Sequence, residues 1–164
     1  MAELTHLDEK LAEVIGLAQA AQIATKKVAT LARKEKQTEL VELMTRMSDE
    51  ATQVEQRCDH AAGTREGMKT AIASKARETK AEVNDFMSTY LEDAEALDGL
   101  EFLSMAEAGE LGHWEILAKL NETANDSEIA RVVEFALPIQ HAHVNAVKEQ
   151  SLRLAADQDP AEPA

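Results

Sequence analysis

Apolar residues recur at helical spacing along almost the whole chain, and this periodicity limits the possible fold more than any other feature of the sequence. Leucine, valine, isoleucine, alanine and methionine return every three or four residues, as expected when one face of an α-helix is buried. Six glycines and three prolines leave few positions at which a helix must break. The pattern therefore predicts an all-α fold.

Five amphipathic segments follow from this periodicity. Gly63 favours the end of the second helix, and we expect Thr64 to cap a long third helix. A turn is expected at Asp98-Gly99, and Asp126 or Ser127 should cap the fifth helix. Short connections within the first and last pairs predict antiparallel hairpins. The first three segments span roughly 3–34, 38–62 and 64–97. The fourth runs from the Asp98-Gly99 turn to about 122, and the fifth spans roughly 127–156.

The length of 164 residues fits one domain, which we assign to residues 1–156. We expect the tail, residues 157–164, to be disordered, because it is short, terminal and carries Pro160 and Pro163.

The third segment includes Phe86 and Tyr90 in its apolar stripe, and both are expected to be buried.

Charge argues against several classes of partner. The net charge of −14 would repel the phosphates of nucleic acids and the surface of an anionic membrane. The longest uncharged run, Val14 to Thr25, is too short to span a bilayer, and the polar start does not resemble a signal peptide. The single cysteine, Cys58, cannot form an internal disulfide, so a cytoplasmic location is expected.

Two polar pairs interrupt the apolar stripes of the last two helices. Glu110 and His113 are three residues apart in one helix, and Gln140 and His143 are three apart in the other. Burying such groups costs free energy unless they are paired, hydrogen-bonded or bound to a metal ion. These positions are therefore where a function should be sought.

The first hairpin adds polar groups at a matching height. Gln22 and Glu50 lie about equally far from the first turn, so antiparallel packing would place them level. Glu107 lies at the edge of the fourth stripe, so two interpretations are equally supported: a residue at the rim of the core or a metal ligand. We read His6, His60 and His141 as surface residues, Cys58 as an inert buried thiol, and Trp114 as a core residue whose indole N–H needs a partner.

This constellation resembles the ferritin-like superfamily. In the full family pattern, two helices each give a Glu and two each give Glu-x-x-His, and together they hold two iron or manganese ions. The resemblance covers about residues 3–156 and is closest to the small bacterial ferritin-like stress proteins. It implies an antiparallel four-helix bundle with an additional long crossover helix. The stretches that carry it run from Met47 to Glu55 and from Ala106 to Glu115.

The chain departs from the family pattern at three positions. Gln22 and Gln140 stand where carboxylates are expected, and Gln53 replaces a histidine. A neutral amide is a weaker ligand for hard cations than a carboxylate, so the sequence supports one metal ion better than two. The expected ligands of iron or manganese are Glu50, Glu107, Glu110, His113, Gln140 and His143, and no catalytic residue is assigned.

Two functional hypotheses remain open at this point. In the first, the bundle binds a metal ion, and Fe(II) oxidation or peroxide handling would follow only from the family analogy. In the second, the polar layer fixes helix register without metal, and the protein oligomerises or docks a partner.

Overall fold

The computed structural model describes residues 3–162, and within this range the chain forms five α-helices and no β-strand. The prediction of an all-α fold is confirmed. Residues 157–162 form exposed turns, whereas residues 163 and 164 of the predicted disordered tail lie outside the described range. The helices are α1 (His6–Lys34), α2 (Thr38–Gly63), α3 (Lys69–Tyr90), α4 (Ala96–Ala124) and α5 (Ser127–Ala156).

The helices bury their apolar stripes in two separate clusters. Helix α1 packs against α2, α3 and α4, while α5 packs against α4 and α2. One cluster includes Leu11, Trp114 and Leu117, and the other includes Met44 and Phe102. Along α2, α4 and α5 a short polar interval lies between the positions that belong to one cluster and those that belong to the other. The polar residues discussed below occupy these intervals.

Side-chain caps define several helix ends. The Thr5 hydroxyl accepts a hydrogen bond from the Asp8 N–H at the start of α1. Asp126 accepts from the N–H groups of Glu128 and Ile129, so the predicted cap of α5 is confirmed. Each cap satisfies donors that have no partner within the first helical turn.

The predicted third helix is wrong at both ends. Thr64 ends α2 instead of beginning a new helix, because its hydroxyl donates to the Ala61 carbonyl oxygen. Gly67, with φ +74°, then turns the chain before α3 begins. At the other end, Glu95 and Asp98 form a reciprocal capping box that starts α4. The predicted Asp98-Gly99 turn therefore lies inside a helix, and α3 has 22 residues.

Two glycines allow close helix packing. A Cβ atom at Gly16 would overlap the Ala76 carbonyl oxygen and lie 2.8 Å from the Thr79 Cβ on α3. A Cβ atom at Gly99 would lie 2.9 Å from a Val28 methyl carbon on α1. At Gly16 the backbone leaves no room for a Cβ atom, whereas at Gly99 the Val28 side chain would have to shift.

The predicted exposure of three histidines and burial of Cys58 are confirmed, whereas two aromatic residues that were predicted to be buried are exposed. His6, His60 and His141 are exposed, and Cys58 is fully buried. Phe86 is 50% exposed, contrary to its predicted place in the core, because it leans on the outer side of the buried Phe102 ring. Tyr90 stacks beside the same ring and is also exposed. Within residues 3–162, none of the helices combines the length and apolar character needed to cross a lipid bilayer.

Candidate functional site

A buried imidazole joins three helices at the centre of the polar interval. The Nε2 atom of His143 on α5 lies 2.7 Å from Glu50 Oε2 on α2. Its Nδ1 atom lies 3.4 Å from Glu107 Oε2 on α4. Both ring nitrogens thus face carboxylate oxygens, an arrangement that favours the doubly protonated ring.

The neighbouring amide fixes the Glu107 carboxylate. Gln140 Nε2 donates to Glu107 Oε2 at 2.7 Å and to the Glu107 carbonyl oxygen at 3.1 Å. Gln140 lies three residues before His143 on α5, so the two side chains approach α4 from adjacent turns. Glu107, which the sequence left as either a rim residue or a ligand, is 1% exposed and lies at the centre of the contact.

Glu110 completes the group one turn further along α4. The Trp114 indole Nε1–H points at Glu110 Oε1 over 3.4 Å, which gives the buried indole its polar partner. Burial, followed by the charge of Glu107, raises the pKa of Glu110, while Trp114 and His143 oppose the shift, and the net value is about 8. A large fraction of Glu110 therefore keeps its proton at neutral pH. We call Glu50, Glu107, Glu110, Gln140 and His143 the buried polar layer.

The buried polar layer contains more acidic groups than basic groups. Three of its members are carboxyl groups, and its one basic group is the His143 ring. No lysine or arginine among residues 3–162 forms an ion pair with Glu50, Glu107 or Glu110. Burial opposes the charged form of His143, but hydrogen bonds and charges from Glu107 and then Glu50 raise its pKa above the ordinary value.

His113 does not join the layer, although the sequence placed it there. Its Nδ1 atom lies 3.1 Å from Glu13 Oε2 and 3.3 Å from Lys10 Nζ, both on α1. The His113 side chain is 35% exposed. Burial raises the pKa of Glu13, but the adjacent Lys10 and His113 outweigh this effect and hold it below its usual range. Only the (i, i+3) spacing of Lys10 and Glu13 could have indicated this group from the sequence.

Gln22 also lies in a different group from the one expected. Its amide nitrogen donates to Glu55, and its amide oxygen accepts from the Thr52 hydroxyl at 3.0 Å. Gln19 donates to the same Glu55 carboxylate at 2.9 Å. These four residues form a polar contact between α1 and α2 that is separate from the buried polar layer. The spacing of Gln19 and Gln22 on one helix face is the signal that could have revealed it.

The layer contains suitable donors for a metal ion, but they are arranged as a hydrogen-bonded network. Across residues 3–162, no three or more His, Cys, Asp and Glu side chains are grouped so that they could hold a metal ion. His143 divides its two nitrogens between Glu50 and Glu107, and one imidazole presents only one nitrogen to a given ion. Metal uptake therefore requires His143 to release one carboxylate.

Comparison of the chain with protein-family models, with curated proteins and with solved structures gives no match.

Proposed function

We propose that the chain is a bundle of ferritin-like topology, in which α1, α2, α4 and α5 are antiparallel to their neighbours and α3 is the crossover. The order of contacts supports this topology: as the residue number rises in one helix, it falls in the adjoining helix. Between α4 and α5 the pairs are Glu107–Gln140 and Asn121–Asp126. Between α2 and α5 they are Gln37–Arg153, Glu50–His143 and Arg57–Phe135. Between α1 and α4 they are Glu13–His113, Val28–Gly99 and Glu35–Ala96.

We propose further that the buried polar layer binds one divalent metal ion, iron or manganese. The observation that carries this proposal is the charge of the layer: Glu107 and Glu110 are buried beside each other, and among the described residues His143 is the only basic group that faces them. A buried carboxylate that lacks a counter-charge must take up a proton or a cation. Mixed carboxylate and imidazole ligands suit iron and manganese.

In this proposal four residues of the layer are metal ligands and the fifth orients one of them. Glu50, Glu107, Glu110 and His143 would hold the ion, while Gln140 orients the Glu107 carboxylate through its amide. His113 is left out, because it is engaged with Glu13 and Lys10. An oxidase or peroxide-handling activity rests on the family resemblance alone and forms no part of the proposal.

Protons compete with the metal ion for the same groups. Burial keeps the pKa of Glu110 near 8, and His143 holds its proton above the usual pKa of an imidazole. A cation that enters the layer must displace these protons, so metal affinity should rise with pH and binding should release protons. A layer without a metal site would show no such linkage.

Anaerobic titration calorimetry with Fe(II), Mn(II) and Zn(II) tests the proposal. We expect binding of one ion per chain, tighter at about pH 8.5 than at about pH 6.5, and loss of binding in His143→Ala and Glu107→Gln. His141→Ala is the matched control, since His141 lies on the same helix but is exposed. His113→Ala should also keep full binding, which separates this ligand set from one that includes His113.

A second candidate function follows from the hydrogen bonds themselves. Both nitrogens of His143 and the amide nitrogen of Gln140 have partners, so the layer can fix helix register without any ion. If none of the three ions binds at either pH, and none raises the unfolding temperature, the metal proposal fails and this structural role takes its place.

A further inference from the structure

A groove of about 530 Å³ lies between α2 and α5. Helix α2 contributes Gln53, Gln56, Arg57 and His60 to its walls, and α5 contributes Glu128 and Arg131. None of these residues belongs to the layer or to either of the other polar groups described above. The groove is therefore a separate feature of the surface.

Arg57 is held in this groove by an aromatic ring. Its guanidinium carbon lies 3.8 Å from the centroid of the Phe135 ring on α5. Stacking of this kind uses the flat face of the guanidinium and leaves its N–H edge free to donate. Within residues 3–162, no carboxylate forms an ion pair or hydrogen bond with Arg57. The guanidinium thus lies against the Phe135 ring and has donors without a carboxylate partner.

The charge of the groove is opposite to that of the whole chain. The chain carries a net charge of −14, but the groove contains two arginines and one histidine against a single carboxylate. That carboxylate, Glu128, is already paired with Arg131 and lies 3.9 Å from His60 Nε2. Arg57 is left as an uncompensated cation, with the amide donors of Gln53 and Gln56 on the same wall.

We propose that this groove binds an oxyanion group, a phosphate or a carboxylate, with the N–H edge of Arg57 as its main partner. A planar guanidinium donates two parallel hydrogen bonds to either group, and stacking on Phe135 removes much of the ordering cost of binding. Arg131 and the glutamine amides supply further donors around the same space.

Titration monitored by NMR tests this inference, with inorganic phosphate in one arm and malonate in the other. We expect saturable shifts of the Arg57 Nε–Hε signal and of the Gln53 and Gln56 side-chain amides. The arm with the lower dissociation constant identifies the class of anion. Because a charge-assisted pair is at stake, Arg57→Gln should weaken binding about tenfold.

Two further variants make the result specific. Phe135→Leu keeps Arg57 but removes the stack, so it should weaken binding while the spectrum stays that of a folded protein. Arg46→Gln removes an exposed arginine of the same helix outside this groove and should change nothing. Shifts that do not saturate for either anion, or that are equal in wild type and Arg57→Gln, would overturn the proposal.

Discussion

The Nε2 atom of His143 lies 2.7 Å from Glu50 Oε2, so a buried imidazole of α5 is paired with a carboxylate of α2 that reaches solvent. The Glu50 side chain is 31% exposed, whereas that of His143 is 7% exposed. Glu50 is the most exposed member of the buried polar layer. Protons and small cations therefore meet the layer first at this pair.

Replacement of His143 by glutamine should destabilise the protein more at acid than at alkaline pH. The neighbouring Glu107 and Glu50 raise the pKa of His143 in the folded protein above its ordinary value of 6.5. A raised histidine pKa stabilises the folded state fully below the unfolded value, and this stabilisation is lost as pH rises through the folded value. Urea unfolding of wild type and variant at about pH 5.5 and about pH 9 measures the difference. A difference that is constant with pH would contradict the ion pair.

Glu110→Gln should stabilise the metal-free protein at neutral and alkaline pH. Burial keeps the pKa of Glu110 near 8, whereas an unfolded glutamate ionises near 4.5, so wild-type stability falls as pH rises between these values. A neutral amide avoids this loss and can still accept from the Trp114 indole. We expect a gain on the order of 1–3 kcal/mol at about pH 8, measured by urea unfolding. The exposed Glu115→Gln is the matched control and should show no gain.

Helical periodicity predicted the main helices because burial of one face dominates their stability. The end of α2 at Gly63 and the cap of α5 at Asp126 were also readable, since glycine and aspartate mark helix ends for local reasons. The break between α3 and α4 could not be predicted from the sequence, because the start of α4 depends on reciprocal hydrogen bonds between Glu95 and Asp98. Such a bond between side chain and backbone leaves the apolar period unchanged.

The layer was predicted in part, and the limit has a geometric cause. Residues three apart on a helix differ by about 60° in direction, so they need not face the same neighbour. Helix α4 touches both α1 and α5, and this difference sends Glu110 into the layer and His113 toward Glu13 on α1. Spacing along one helix cannot tell which neighbour a side chain will face.

Gly16→Ala should destabilise the protein despite the higher helix propensity of alanine. Propensity alone favours alanine by about 1 kcal/mol in a helix interior. At Gly16, however, the added Cβ would overlap the Ala76 carbonyl oxygen, and backbone cannot move away as a flexible side chain can. We expect a net loss of about 1–3 kcal/mol. Gly112→Ala on α4, where a Cβ meets nothing within 4 Å, is the control and should be neutral or stabilising by urea unfolding.

Arg65→Ala should cost more stability than the loss of any exposed ion pair. Arg65 Nε lies 3.2 Å from Asp8 Oδ1, and its Nη2 lies 2.9 Å from Asp126 Oδ2, so one side chain ties the start of α1 to the start of α5. Asp8 is buried, and removal of its partner leaves a buried charge, which costs about 3 kcal/mol.

A double-mutant cycle with Asp8→Asn isolates this pair. In the Asp8→Asn background a neutral amide replaces the buried charge, so removal of Arg65 leaves no charge without a partner. The loss of unfolding free energy caused by Arg65→Ala should therefore be at least about 1 kcal/mol smaller in this background than in wild type. Lys119→Ala, which breaks an exposed pair with Glu122, serves as the reference and should change stability by less than about 0.5 kcal/mol. Equal costs of Arg65→Ala in both backgrounds would show that the buried Asp8 charge does not depend on Arg65.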